Sequence, residues 1–111
     1  MDSTRVPEID IAEAARRHGS GTPVIDVREP GEYFEGHVPG APLIPLATVP
    51  DRVAEVPVGD EVLIICRSGA RSHKAAEFLR SQGVNAVNVA GGTMAWIDAG
   101  HPVVLGDEPG A

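Results

Sequence analysis

The sequence predicts an α/β domain, a mainly parallel sheet flanked by helices on both faces. Three observations carry that prediction. Short apolar runs rich in β-branched residues alternate with segments of helical pattern along the chain, the order that builds parallel sheets. One run, "EVLIIC" at 61–66, is continuously apolar after its first residue, as a strand covered on both faces must be. The 13 glycines and 10 prolines fall mostly between these runs, so they punctuate the chain and do not form a low-complexity tract.

Taken in order, "DIAEAARRH" at 10–18 reads as a helix that Asp10 can cap, with Glu13 three residues later and Gly19 as a stop. "PVIDV" at 23–27 reads as a strand. "PGEYFEG" at 30–36 suits a proline-initiated helical turn closed by Gly36. "HVPGAPLIPL" at 37–46 holds too many prolines for a central ladder and leaves only a brief strand at 43–44. A weak helix is expected over 48–56 and a strand over 61–66. The clearest helix spans 71–83, with Ala75, Ala76, Phe78 and Leu79 as its apolar side and Gly83 as its end. A strand over 85–90, a short helix over 91–100 between glycines and a closing "PVV" at 102–104 complete the domain.

The length of 111 residues suits one domain, placed at 5–104, with 1–4 and 105–111 as flexible ends. A single cysteine cannot form an internal disulfide, and "MDSTRVPEID" has no apolar signal segment. No apolar run approaches the ~18 residues of a membrane helix. A cytoplasmic protein is therefore expected, with no membrane partner. The net charge of −7 argues against nucleic acid. His18, His37, His73 and His101 are scattered and pair with no Cys-x-x-Cys or His-x-x-x-His spacing, so no metal site is expected.

Against that acidic background, residues 66–74 carry Arg67, Arg71 and Lys74 and no acid. They begin with the loop "CRSGARS", whose first residue, Cys66, stands where a buried strand gives way to a helix. In parallel α/β folds ligands collect at that end of the strands. A thiol reacts as its thiolate, and three features here favour the anion. The unpaired N–H groups and dipole of the following helix point back at residue 66. A turn at Gly69 can aim successive N–H groups inward as an anion-binding nest. Arg67 and Arg71 add full positive charge. The competing reading is a buried, inert cysteine, common for free thiols. The active reading requires an ionised thiol that solvent and substrate can reach.

With these residues in view, the sequence resembles the single-domain rhodaneses, a family of thiosulfate sulfurtransferases. "VIDVREPGEYFEGHVPGA" at 24–41, "CRSGARS" at 66–72 and "GGTMAWIDAGHPV" at 91–103 match the family's motifs in order, across nearly the whole chain. The resemblance implies a five-stranded parallel sheet, no cofactor, and a catalytic Cys66 that takes a sulfane sulfur from a small anionic donor such as thiosulfate. The resulting persulfide would pass its sulfur to cyanide or a thiol, or to an acceptor protein. Arg67, Ser68, Gly69, Ala70, Arg71 and Ser72 would line the substrate site, with Asp26 and Arg28 supporting it. Arg71 has two roles open to it, binding the donor or bracing the loop through Asp26. Ser72 can donate to the sulfur or cap the helix, the latter being the commoner use.

Other readings stay beside this one. Cysteine phosphatases and arsenate reductases carry a loop one residue longer, which fits a tetrahedral oxyanion, and the latter also need a resolving thiol. A persulfide carrier or a redox sensor could use the same loop, whereas a pure docking module, the remaining alternative, would not need an activated thiol. Arg28 and Glu32, four apart, can pair. His37 is expected to be structural, Met94 and Trp96 to be core, and His73 to lie either near substrate or on an exposed helix face.

Overall fold

A computed structural model describes residues 5–110. The chain runs β1 (Glu8–Ile9), α1 (Ile11–Gly19), β2 (Val24–Asp26), α2 (Pro30–Glu35), two short 3-10 helices (Leu46–Asp51 and Val53–Glu55), β3 (Val62–Ile65), α3 (Ala70–Ser81), β4 (Ala86–Val89) and α4 (Gly92–Asp98). The strands form one parallel sheet in the order β1-β4-β3-β2. Asp10 caps α1 by accepting from Glu13 N at 2.9 Å, and Pro30 opens α2.

Among the described residues the sheet has four strands, not five. The stretch at 43–44 makes a single parallel bridge, Leu43 to Asp26. Pro42 and Pro45 flank it and have no N–H to donate, so the ladder cannot extend. It still runs beside β2, with Ile44 N donating to Asp26 O at 2.8 Å and Leu46 N to Val27 O at 3.0 Å. Residues 102–104 contribute only an antiparallel bridge between His37 and Val104. β1 went unpredicted because two residues carry no readable alternation. The weak helix over 48–56 becomes two 3-10 pieces, with Pro50 inside the first.

Period-two alternation along β3 divides the core. Val62, Ile64 and Cys66 face one layer with Ala75, Ala76 and Leu79 of α3. Leu63 and Ile65 face the other, with Ala14 of α1 and Trp96 of α4. Covering both faces is what made β3 read as continuously apolar. Residues 105–110, expected to be a flexible end, are tied along α2 and its exit. Gly106 N donates to Phe34 O, and Gly40 N to Pro109 O, both at 2.8 Å.

Candidate active site

Cys66 follows β3 directly, and the next three residues turn the chain into α3. Gly69 makes that turn possible. It is the residue before α3 and lies at φ +117°, a left-handed conformation that a side chain would strain. The turn aims its N–H at the thiol, and Gly69 N donates to Cys66 Sγ at 3.1 Å. Ser72 Oγ lies 3.3 Å from the same sulfur. Burial pushes the Cys66 thiol up. Contacts from the Ser72 hydroxyl and from the N–H groups of Ser72, Gly69 and Ser68 act against it and leave the thiol below its ordinary value.

The expected open thiol is not what the structure shows. Cys66 is 1% exposed, whereas Arg67, Ser68 and Ala70 above it are exposed. The sulfur lies under the loop, against backbone donors on its outer side and the α3 core layer behind.

The far side of the loop is fixed by α4. Thr93 N and Oγ1 donate to Cys66 O at 2.8 and 3.0 Å, and Met94 N donates to Arg67 O at 3.1 Å. Gly92 permits this contact: a Cβ there would come within 2.6 Å of Cys66 O and closer still to Arg67 O. The Gly-Gly doublet at 91–92 is the sequence signal for this close approach, and it lies outside the site that the loop motif marks.

The arginines pair differently from expectation. Asp26 is fully buried and takes Arg28, which donates from Nε to both carboxylate oxygens at 3.1 Å and from Nη2 to Oδ2 at 2.9 Å. Arg28 Nη2 also reaches Gly36 O at 2.8 Å. Arg71 therefore does not brace through Asp26, and Arg28 does not pair with Glu32. Arg71 grips Glu32 of α2 with both Nη atoms at 2.8 Å, a bidentate fit of planar guanidinium to carboxylate. A four-residue spacing suggests Arg28 as the partner of Glu32, but Arg28 precedes α2, and the start of α3 brings Arg71 in from 39 positions away.

Ser72 caps nothing. It lies inside α3, buried, between Cys66 Sγ and Asn88 Oδ1. Asn88 is also fully buried, and a polar amide in an otherwise apolar strand was the signal that could have marked it. His37 is buried between backbone carbonyls, as a structural histidine, and His73 is exposed on α3. Trp96 is core, whereas Met94 is 45% exposed, because α4 turns it toward a cavity of about 270 Å³. Arg67, Thr93, Ile97, Glu32 and Glu35 line that cavity beside the loop. Among the described residues no group of three or more His, Cys, Asp or Glu side chains could hold a metal.

A profile of the rhodanese-like domain matches residues 10–99, most of the chain. The chain belongs to the rhodanese-like domain family. It is 39% identical over 102 residues to a sulfurtransferase of Allochromatium vinosum, covering 89% of this chain and 95% of that one. It is 32% identical to thiosulfate sulfurtransferase 18 of Arabidopsis thaliana, over 93% of this chain and 87% of that one. A crystal structure of a rhodanese-related protein from Thermoplasma volcanium superposes with a TM-score of 0.84 at 34% identity, covering 89% of this chain and 98% of that one. The rhodanese fold thus accounts for the parallel sheet. No helix among the described residues is long and apolar enough to cross a membrane.

Proposed function

We propose that this rhodanese domain is a sulfurtransferase that carries a sulfane sulfur on Cys66. The observation that supports it most is the sulfur at the head of an amide-lined turn, with Gly69 N 3.1 Å away and the thiol held below its ordinary value. A neutral thiol would gain little from such a ring, whereas an anion gains a charge-assisted hydrogen bond from each donor. The sulfurtransferase relatives favour the same chemistry.

In the first half-reaction the Cys66 thiolate attacks the outer sulfur of thiosulfate. A Cys66–sulfur bond forms, the sulfur–sulfur bond of the donor breaks, and sulfite leaves with its electron pair. Charge is conserved, since thiolate and thiosulfate give a persulfide anion and sulfite. In the second half an acceptor nucleophile, cyanide or a thiolate, attacks the outer persulfide sulfur and returns the Cys66 thiolate. The outer sulfur carries the charge and sits among the N–H groups of Ser68, Gly69 and Ser72, with Ala70 and Arg71 completing the loop. Arg67, exposed on the cavity rim, meets the incoming dianion in an otherwise acidic protein. Asp26 and Arg28 support the site from the end of β2.

Intact mass after incubation with thiosulfate tests this reading. The expected result is a gain of one sulfur that cyanide removes and that Cys66→Ser lacks. Cys66 must also react with iodoacetamide in the folded protein, which requires the loop to open over the buried sulfur. Failure of every sulfur donor to load Cys66, or a thiol inert until the chain unfolds, would return Cys66 to an inert core residue.

A further inference from the structure

Ser72 has one hydroxyl proton and two neighbours that could take it. Cys66 Sγ lies at 3.3 Å and Asn88 Oδ1 at 2.5 Å. The orientation of the Asn88 amide decides between them. Its Nδ2 faces two acceptors, Glu8 Oε2 at 2.8 Å and Gly69 O at 3.1 Å. A flipped amide would point an oxygen at both, so Oδ1 must face Ser72. Two oxygens 2.5 Å apart need a proton between them, whereas oxygen and sulfur at 3.3 Å are in ordinary contact without one. The hydroxyl proton therefore lies on the Asn88 side, and the lone pairs of Ser72 Oγ face the sulfur.

We infer that Asn88 is a positioning residue for the sulfur chemistry: it pins the loop through Gly69 O and holds the Ser72 proton away from Cys66. Ser72 Oγ then accepts from the Cys66 S–H, so its hydroxyl is withheld from the contacts that hold the thiol down and the N–H groups of Ser72, Gly69 and Ser68 are left to carry the anion. The anion rests on backbone N–H groups, which leaves the amide side of the sulfur as the one where a transferred sulfur is stabilised. The inference rests on Cys66 working as a thiolate. It also explains why a fully buried asparagine occupies a central strand, with its three side-chain polar contacts shared between β1, the loop and α3.

The charged groups around Cys66 are Arg71 with Glu32, the Arg28–Asp26 pair, Arg67 of the loop and Glu8 behind Asn88. Ser72→Ala leaves all of them in place, whereas Asn88→Leu removes the Asn88 contact to Glu8, a change the double variant shares and so controls for. The test is a titration of thiolate absorbance, taken as the difference from Cys66→Ser, because Cys66 is the only cysteine. Tyr33, the only tyrosine, is pushed up to about 12 by burial and does not intrude. Ser72→Ala is expected to leave the midpoint unchanged or lower it. Asn88→Leu frees the Ser72 proton for the sulfur and is expected to lower the midpoint by about one pH unit, a tenfold gain in thiolate. The double variant should lose that fall, which loop damage alone would not produce. A rise of about one unit in Ser72→Ala would overturn the inference, and so would an unchanged or raised midpoint in an Asn88→Leu chain that melts as a folded protein. If Asn88→Leu does not fold, Ser72→Ala alone decides. None of these readouts needs a sulfur donor, so a failure of sulfur loading and a failure of this inference are seen separately.

Discussion

β2 and β3 lie side by side, with Asp26 opposite Ile65, and they end at the same edge of the sheet. They finish in opposite ways. β2 ends in a carboxylate whose charge is met by one guanidinium, fully buried and with its lone pairs filled. β3 leads into a sulfur met by backbone N–H groups from a tight turn. A guanidinium that closes on a carboxylate occupies the space around it and leaves a structural joint. Peptide N–H groups are held by the backbone, so they offer positive potential without filling the space in front of the sulfur. One end is built to stay shut and the other to admit an atom.

The sharpest break of this comparison is Asp26→Ala, which leaves Arg28 buried without its partner. Removing one member of a buried pair costs about 3–5 kcal/mol, so a urea unfolding midpoint should fall steeply. Asp26→Ala combined with Arg28→Met should recover much of the loss, since an apolar pair of similar volume needs no charge compensation. If the double variant is no better than the single, the joint does more than neutralise itself.

Gly92→Ala comes next and strikes the other strand end. Its Cβ would meet Cys66 O within 2.6 Å, and the atoms in the way are backbone. Overpacking of this kind costs about 1–3 kcal/mol. The larger consequence should be chemical, because displacing the carbonyls of Cys66 and Arg67 turns the following N–H groups off the sulfur. The thiol midpoint should rise toward the ordinary cysteine value, and sulfur loading by mass should slow more than stability falls.

Much of this was legible beforehand, and what was missed has a common cause. The strand-to-helix change at "IICRSGARS" placed Cys66, because apolar run, glycine and helix are all local signals. The partners of the charges did not follow helical spacing. Asp26 took Arg28 two residues away, and Glu32 took Arg71 from a different element, whereas helical spacing alone would join Arg28 to Glu32. Asn88 and Glu8 touch across 80 positions, a distance no window of sequence can bridge. The fifth strand failed because proline chemistry on either side of 43–44 removed the donors that a ladder needs.

The smallest expected effect concerns the pair that joins the two regions, Arg71 with Glu32. Arg71 holds the Glu32 carboxyl down to about 2, well below its ordinary 4.5. Both side chains are about one-third exposed, so water screens the pair and its contribution is at most about 1 kcal/mol. The folded value is depressed, so the stabilisation is fully present above about 4.5 and is lost as the pH falls from there toward 2. Glu32→Gln should therefore be slightly less stable than the parent at pH 6, and the two unfolding curves should converge between pH 4.5 and 2. Freed from Glu32, Arg71 answers the charges of Cys66 and Asp26 alone, and the carboxylate that repelled the thiolate is gone, so the thiol midpoint should fall modestly in Glu32→Gln. A gap in stability that persisted at pH 2 would mean that Glu32 acts through packing, and an unmoved thiol midpoint would leave the anion to the amides alone.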